Sequence, residues 1–296
     1  MDANRRYGLL CLLSGAVLFS CKAIVIKLAY RYGASAITFL GLRMAFALPL
    51  FLLIGRFRGG DRATRPRLGA RDYATVLVLG CFGYYLASYT DFLGLRYLSA
   101  GMERVILFTY PTMVLLLQRL VFGTSIRPVQ WAATALCYLG ITVAFSGSDL
   151  SGGSDFLRGA ALVLLSALLY SAYVIGSGRL IPRLGNVRFT SLALTTAACC
   201  VLTHVALSGE PLLGLPPMLY VYGVVIAVFC TVIPSYLVSE GIKRLGAGDA
   251  AIVGAVGPVA TIVLEYLVLG EYLNWAQGAG AVLIIAGVVL IGRSRA

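Results

Sequence analysis

The chain has 296 residues, of which 59% are hydrophobic and only 12% charged, and its mean hydropathy is +0.90. Soluble domains are about 45–50% apolar and about 25% charged, and one soluble core cannot hide such an excess. A water-soluble globular protein is therefore excluded, and most of the solvent must be lipid. The net charge of +12 would indicate nucleic acid only if the basic residues lined a soluble face, so their positions decide what it means.

A bilayer-spanning helix needs about 20 mostly apolar residues. Ten segments qualify, at roughly 8–28, 36–54, 74–95, 100–121, 129–147, 158–178, 189–207, 218–239, 248–269 and 276–292. The connections between them are too short for a soluble catalytic domain. The first segment follows Arg5 and Arg6 like a signal peptide, but its apolar run is too long and it has no clear small-x-small cleavage site. It reads as a retained first helix.

Lys and Arg near span ends stay in the cytoplasm. With the N-terminus inside, the cytoplasmic segments carry 17 of the 24 basic residues, including a six-Arg loop from Arg56 to Arg71. Lys27, Arg31, Arg96, Arg104 and Arg158 fall outside, while Lys22 and Arg43 fall within spans. A multi-pass inner-membrane protein with both termini cytoplasmic follows. The six-Arg loop reads either as a topology signal or as a site for anionic lipid.

The seven cysteines all lie within spans without C-x-x-C spacing and read as packing residues. His204 is the only histidine, and no phosphate loop, H-E-x-x-H or nucleophile–base pattern occurs. The expectation is a non-enzyme without metal, cofactor or nucleic-acid partner; the sequence leaves the oligomeric state open.

The chain also repeats itself. A shift of 147 residues places Tyr73 on Tyr220, Tyr89 on Tyr236, Gly94 on Gly241, Leu98 on Leu245, Ala100 on Ala247 and Gly101 on Gly248. It continues with Pro111 on Pro258, Gly123 on Gly270, Gln130 on Gln277 and Gly140 on Gly287. A shift of 151 pairs Ala16 with Ala167 and Ser20 with Ser171. Each copy, 8–147 and 158–292, holds five spans, and an odd number makes the second copy enter the membrane from the opposite side. The fold expected is an all-α membrane protein of ten transmembrane helices in two inverted five-helix repeats, a build that secondary transporters use for alternating access.

The segments LRYLSAGMERVILFTYPTMVLLLQRLVFG (95–123) and IKRLGAGDAAIVGAVGPVATIVLEYLVLGEYL (242–273) resemble the paired motif of the drug/metabolite transporter superfamily, EamA-like branch. Arg43 in span two and Gly270–Glu271 before span ten match as well. Two departures are Phe19-Ser20-Cys21-Lys22 in the middle of span one and Thr124 in place of the Glu of the first repeat. The resemblance implies a ten-helix inner-membrane carrier that exports amino acids or other small metabolites, and it leaves the substrate open.

An ionisable residue in hydrocarbon costs several kcal/mol unless paired or hydrated. Lys22 lies about 20 Å along span one and Arg43 about 10 Å into span two, in the same outer half as Asp91, Glu103 and Arg104. Lys22 and Arg43 are candidates to hold an anionic substrate group, and either can pair with Asp91 or Glu103. Alternatively, Arg43 locks two helices together, Asp91 is a rim residue, and Glu103 and Arg104 cap a helix. Asp91, Glu103 and Glu265 are candidates for proton coupling, Glu265 equally for an interfacial residue. Tyr84, Tyr85, Ser88, Tyr89 and Phe92 share neighbouring faces of span three. With Tyr110, Tyr170, Tyr173 and Tyr236, they read either as the lining of a solute cavity, Tyr85, Tyr89, Tyr110, Tyr173 and Tyr236 in particular, or as packing. Pro111 and Pro258 are repeat-related kinks, either hinges or static.

The reading is a secondary transporter that exports small metabolites such as amino acids, with protons as a possible coupling ion. An uncoupled facilitator and a membrane enzyme or sensor on the same scaffold are the alternatives.

Overall fold

The computed structural model describes residues 3–57, 69–98, 100–144, 146, 153–254, 256–269 and 275–293. Among the described residues every regular element is helical, as lipid demands of a backbone whose polar groups find no water. The first half holds α1 (Ala3–Tyr30), α2 (Ala36–Phe57), α3 (Ala70–Gly94), α4 (Ala100–Leu107), α5 (Tyr110–Phe122) and α6 (Pro128–Ala144). The second half holds α7 (Gly153–Leu184), α8 (Asn186–Ser208), α9 (Pro217–Leu245), α10 (Ala247–Val253), α11 (Val256–Leu269) and α12 (Trp275–Arg293). Six of these, α1, α2, α3, α7, α8 and α9, are long and apolar enough to cross a bilayer. The chain is thus a multi-pass membrane protein.

The register of 147 seen in the sequence recurs in the backbone. Helix α3 widens into a π-turn at Cys81–Leu86 and α9 into one at Val228–Val232, and the first residues of the two turns are 147 apart. The two broken segments are 146 apart, one residue short of that shift. Helix α4 ends at Leu107 before α5 starts at Tyr110, and α10 ends at Val253 before α11 starts at Val256. Pro111 and Pro258 therefore do not kink continuous helices. Each sits in the first turn of a new helix, where a missing N–H leaves nothing unsatisfied.

Packing follows the same correspondence. Helix α1 lies against α9 and α11, and α7 lies against α3 and α5. Helix α2 packs on α8 and α9, and α8 on α2 and α3. Helices α6 and α12 pair with each other at the flank through paired glycines. A Cβ on Gly140 would stand 2.6 Å from Gly280 O, and one on Gly287 would stand 2.8 Å from Ala133 O. Gly270–Glu271, Arg58, Arg62, Arg65 and Arg67 lie outside the described residues, as does the side chain of Glu265.

Because the neighbouring group is backbone, which cannot rotate away, Gly140→Ala and Gly287→Ala are each expected to cost about 1–3 kcal/mol. They should lower the melting temperature of the purified protein by several degrees. Gly278→Ala, on an exposed face of α12 with nothing within 4 Å of its added Cβ, should leave the melting temperature unchanged or raise it.

Candidate functional site

The two helix breaks meet at the centre of the bundle. Side chains from the opposite half hydrogen-bond to backbone carbonyls beside each break. Ser20 Oγ on α1 stands 2.9 Å from Gly257 O and 2.7 Å from Ala16 O, so one hydroxyl proton serves two acceptors. Ser171 Oγ on α7 stands 3.2 Å from Tyr110 O and 2.6 Å from Ala167 O. The two serines are 151 apart, their acceptors Tyr110 and Gly257 are 147 apart, and Ala16 and Ala167 are repeat mates as well. Tyr110 then closes the circle by donating through its hydroxyl to Ala251 O at 2.8 Å.

Around these breaks lies a cavity of about 120 Å³, well above the ~10–15 Å³ that one water requires. Its wall includes Lys22, Arg43 and Arg104 together with Phe19, Tyr84, Phe108, Tyr110 and Tyr170. Lys22 Nζ meets Asp91 Oδ2 at 2.6 Å. Arg104 Nε lies 3.0 Å from Glu103 Oε2, an ion-pair contact without hydrogen-bond geometry, since neither atom has a hydrogen-bond partner. Asp91, Glu103 and Arg104 are 1%, 0% and 5% exposed. They are therefore interior groups, and the readings as rim residue and interfacial cap give way to a buried quartet.

Arg43, 1% exposed, reaches across both π-turn regions instead of pairing with an acid. Its Nε donates to Thr231 Oγ1 at 2.7 Å and its Nη1 to Ser88 Oγ at 3.2 Å, and its guanidinium lies 5.7 Å from the Phe92 ring centroid. Thr231 can accept because its own proton is given to Ile226 O at 2.8 Å, a carbonyl at the start of the π-turn in α9. Tyr84 and Ser235 add a second cross-link between α3 and α9, at 3.1 Å.

Of the residues singled out in the sequence for solute contact, the cavity wall brings together Lys22, Arg43 and Tyr110. Tyr173 packs behind the wall, its ring 5.0 Å from Tyr84 and 6.0 Å from Tyr170. Tyr85 and Tyr89 stand apart between α3 and α8, where the Tyr85 hydroxyl lies 3.1 Å from His204 Nδ1 and the Tyr89 ring 4.8 Å from the imidazole. Tyr236 faces Ser191 at 2.7 Å, with its ring 6.2 Å from Phe51. Thr231 and Ser166 were not singled out, because an isolated Thr or Ser in an apolar span carries no sequence signal. The Ser20–Ser171 match was the one available clue to the covered breaks.

Fold and site together define a helical membrane protein whose two halves meet around a largely apolar cavity with three cationic side chains in its wall. Residues 6–146 and 157–293 each match the EamA-like transporter family, and the chain belongs to that family. It is 32% identical over 292 residues to "Uncharacterized transporter YcbK" of Bacillus subtilis (strain 168), covering 94% of this chain and 91% of that one. It is 24% identical over 308 residues to "Uncharacterized transporter sll1319" of Synechocystis sp., covering 96% and 92%. A solved crystal structure shares the fold with a TM-score of 0.74 at 19% identity, over 96% of this chain and 95% of that chain.

Removing one member of a buried ion pair strands the other charge, at about 3–5 kcal/mol. Lys22→Met and Asp91→Ala should each lower the melting temperature markedly. The double variant should recover much of the loss, and a double-mutant cycle measures the coupling.

Proposed function

We propose that this protein is a secondary transporter that exports small metabolites of amino-acid size by alternating access. In this reading the two halves, 8–147 and 158–292, are inverted five-helix repeats, giving ten crossings with both termini in the cytoplasm of a bacterial inner membrane. The observation that carries the proposal is the meeting of the repeat-related helix breaks at a cavity lined by three cations. Discontinuous helices at a repeat interface build the solute sites of several transporter folds, and the paired π-turns supply further soft points in α3 and α9. Six long apolar helices and four shorter ones support the ten crossings.

Lys22 and Arg43 hold an anionic group of the solute in this scheme, and Tyr110 shapes the space beside it. Pro111 and Pro258 mark where α5 and α11 pivot against α4 and α10. Asp91 and Glu103, whose carboxyl oxygens are in part without hydrogen-bond partners, are the groups positioned to carry a proton, with Glu265 as the third candidate.

Uptake by proteoliposomes across a panel of amino acids and related metabolites, with and without a pH gradient, tests this reading. Flux is expected for at least one class, and Lys22→Gln should weaken it about tenfold or more, the equivalent of one charge-assisted hydrogen bond. Loss of the pH dependence in Asp91→Asn or Glu103→Gln identifies the proton carrier, whereas unchanged dependence in these and Glu265→Gln removes all three acids from that role. Reporter fusions at both ends should locate both termini in the cytoplasm.

A further inference from the structure

The charges around the cavity do not balance. Lys22, Arg43 and Arg104 reach the wall, whereas no Asp or Glu among the described residues does. Behind the wall, Asp91 is engaged by Lys22 and Glu103 by Arg104. With both acids ionised, three cations face two anions, and any proton on either acid widens the gap. Lys27, the next basic residue of α1, lies near enough to Glu103 to interact with it, and so adds to the surplus. The surplus falls on Arg43, which hydrogen-bonds the neutral Thr231 and Ser88 beside the Phe92 ring, and the acid that acts on it electrostatically, Asp91, is already engaged by Lys22. A buried cation that shares its acid with another cation is short of counter-charge.

Among the described residues the same wall carries no carboxylate for a positive group, and its Ala87 and Gly257 carbonyls already accept from Ser166 and Ser20. The aromatic side is ample: Tyr170 stands edge-to-face against Tyr84 and Tyr110, at 6.5 and 5.5 Å between centroids.

We infer that the solute is a monocarboxylate with an apolar, ring-sized body and no ammonium group, its carboxylate supplying the charge missing beside Arg43. This rests on the transport reading of the same cavity and narrows it. An amino acid brings an ammonium that would face three cations on a wall without Asp or Glu among the described residues, and an amine offers nothing to Arg43.

Three solutes of matched shape separate the cases: 3-phenylpropionate, phenylalanine and phenethylamine, tested by thermal shift and by proteoliposome flux on the full chain. The carboxylate is expected to bind at least about tenfold more tightly than phenylalanine, and the amine not at all; tenfold corresponds to a single charge-assisted contact. Arg43→Gln should abolish the preference and Arg43→Lys should retain it, with melting temperatures showing that both variants fold. Equal or tighter binding of phenylalanine or the amine overturns this inference, and if either is transported the transporter reading stands. A carboxylate preference unmoved in Arg43→Gln overturns the assignment to Arg43. Failure of all three solutes to bind overturns the inference as well, and flux of any other metabolite then still sustains the transport reading.

Discussion

Hydrocarbon gives a broken helix nothing to bond to, and this constraint organises the centre of the molecule. Among the described residues, the apolar segments depart from α-helical geometry in four places, two π-turns and two full breaks. Ser20 covers Gly257 and Ser171 covers Tyr110, each serine reaching from one half into the other. The irregular backbone thus faces polar side chains of the opposite half instead of lipid.

Charge obeys a related constraint with a different outcome. A buried ion is tolerated when paired or hydrogen bonded, and Lys22 meets that condition through Asp91. Arg43 meets it through hydroxyls at the two π-turn regions and the Phe92 ring, and shares Asp91 with Lys22. It thereby joins α3 to α9. Any anion that drew Arg43 towards the cavity would loosen its hold on Thr231 and Ser88, linking occupancy to the contact between the halves.

Much of this was legible in the sequence. Hydropathy located every helical interval, because a lipid-facing segment must be apolar along its length. The shift of 147 pairs α3 with α9, and the first residues of their two π-turns stand at that spacing. The prolines misled in one respect: Pro111 and Pro258 sit at helix starts, which a sequence cannot distinguish from mid-span kinks when the flanking residues are as apolar as Phe108 and Ala255. The charged quartet was foreseen as a cluster, but its burial was not, since depth estimates along a helix axis say nothing about which way the helix faces. Tyr85 and Tyr89 share α3 with Tyr84, but their faces turn towards His204 instead of the cavity. The pivotal hydroxyl of Thr231 was invisible because its importance depends on a π-turn and on a guanidinium from α2.

The proposed solute site lies between the paired breaks, and a crystal or cryo-EM structure with a heavy-halogen ring carboxylate examines that placement directly. The account predicts the halogen among Tyr84, Tyr110 and Tyr170, with the carboxylate within hydrogen-bond distance of Arg43. Density for the ligand in the crevice beside His204, or anywhere other than the cavity at the helix breaks, would contradict it.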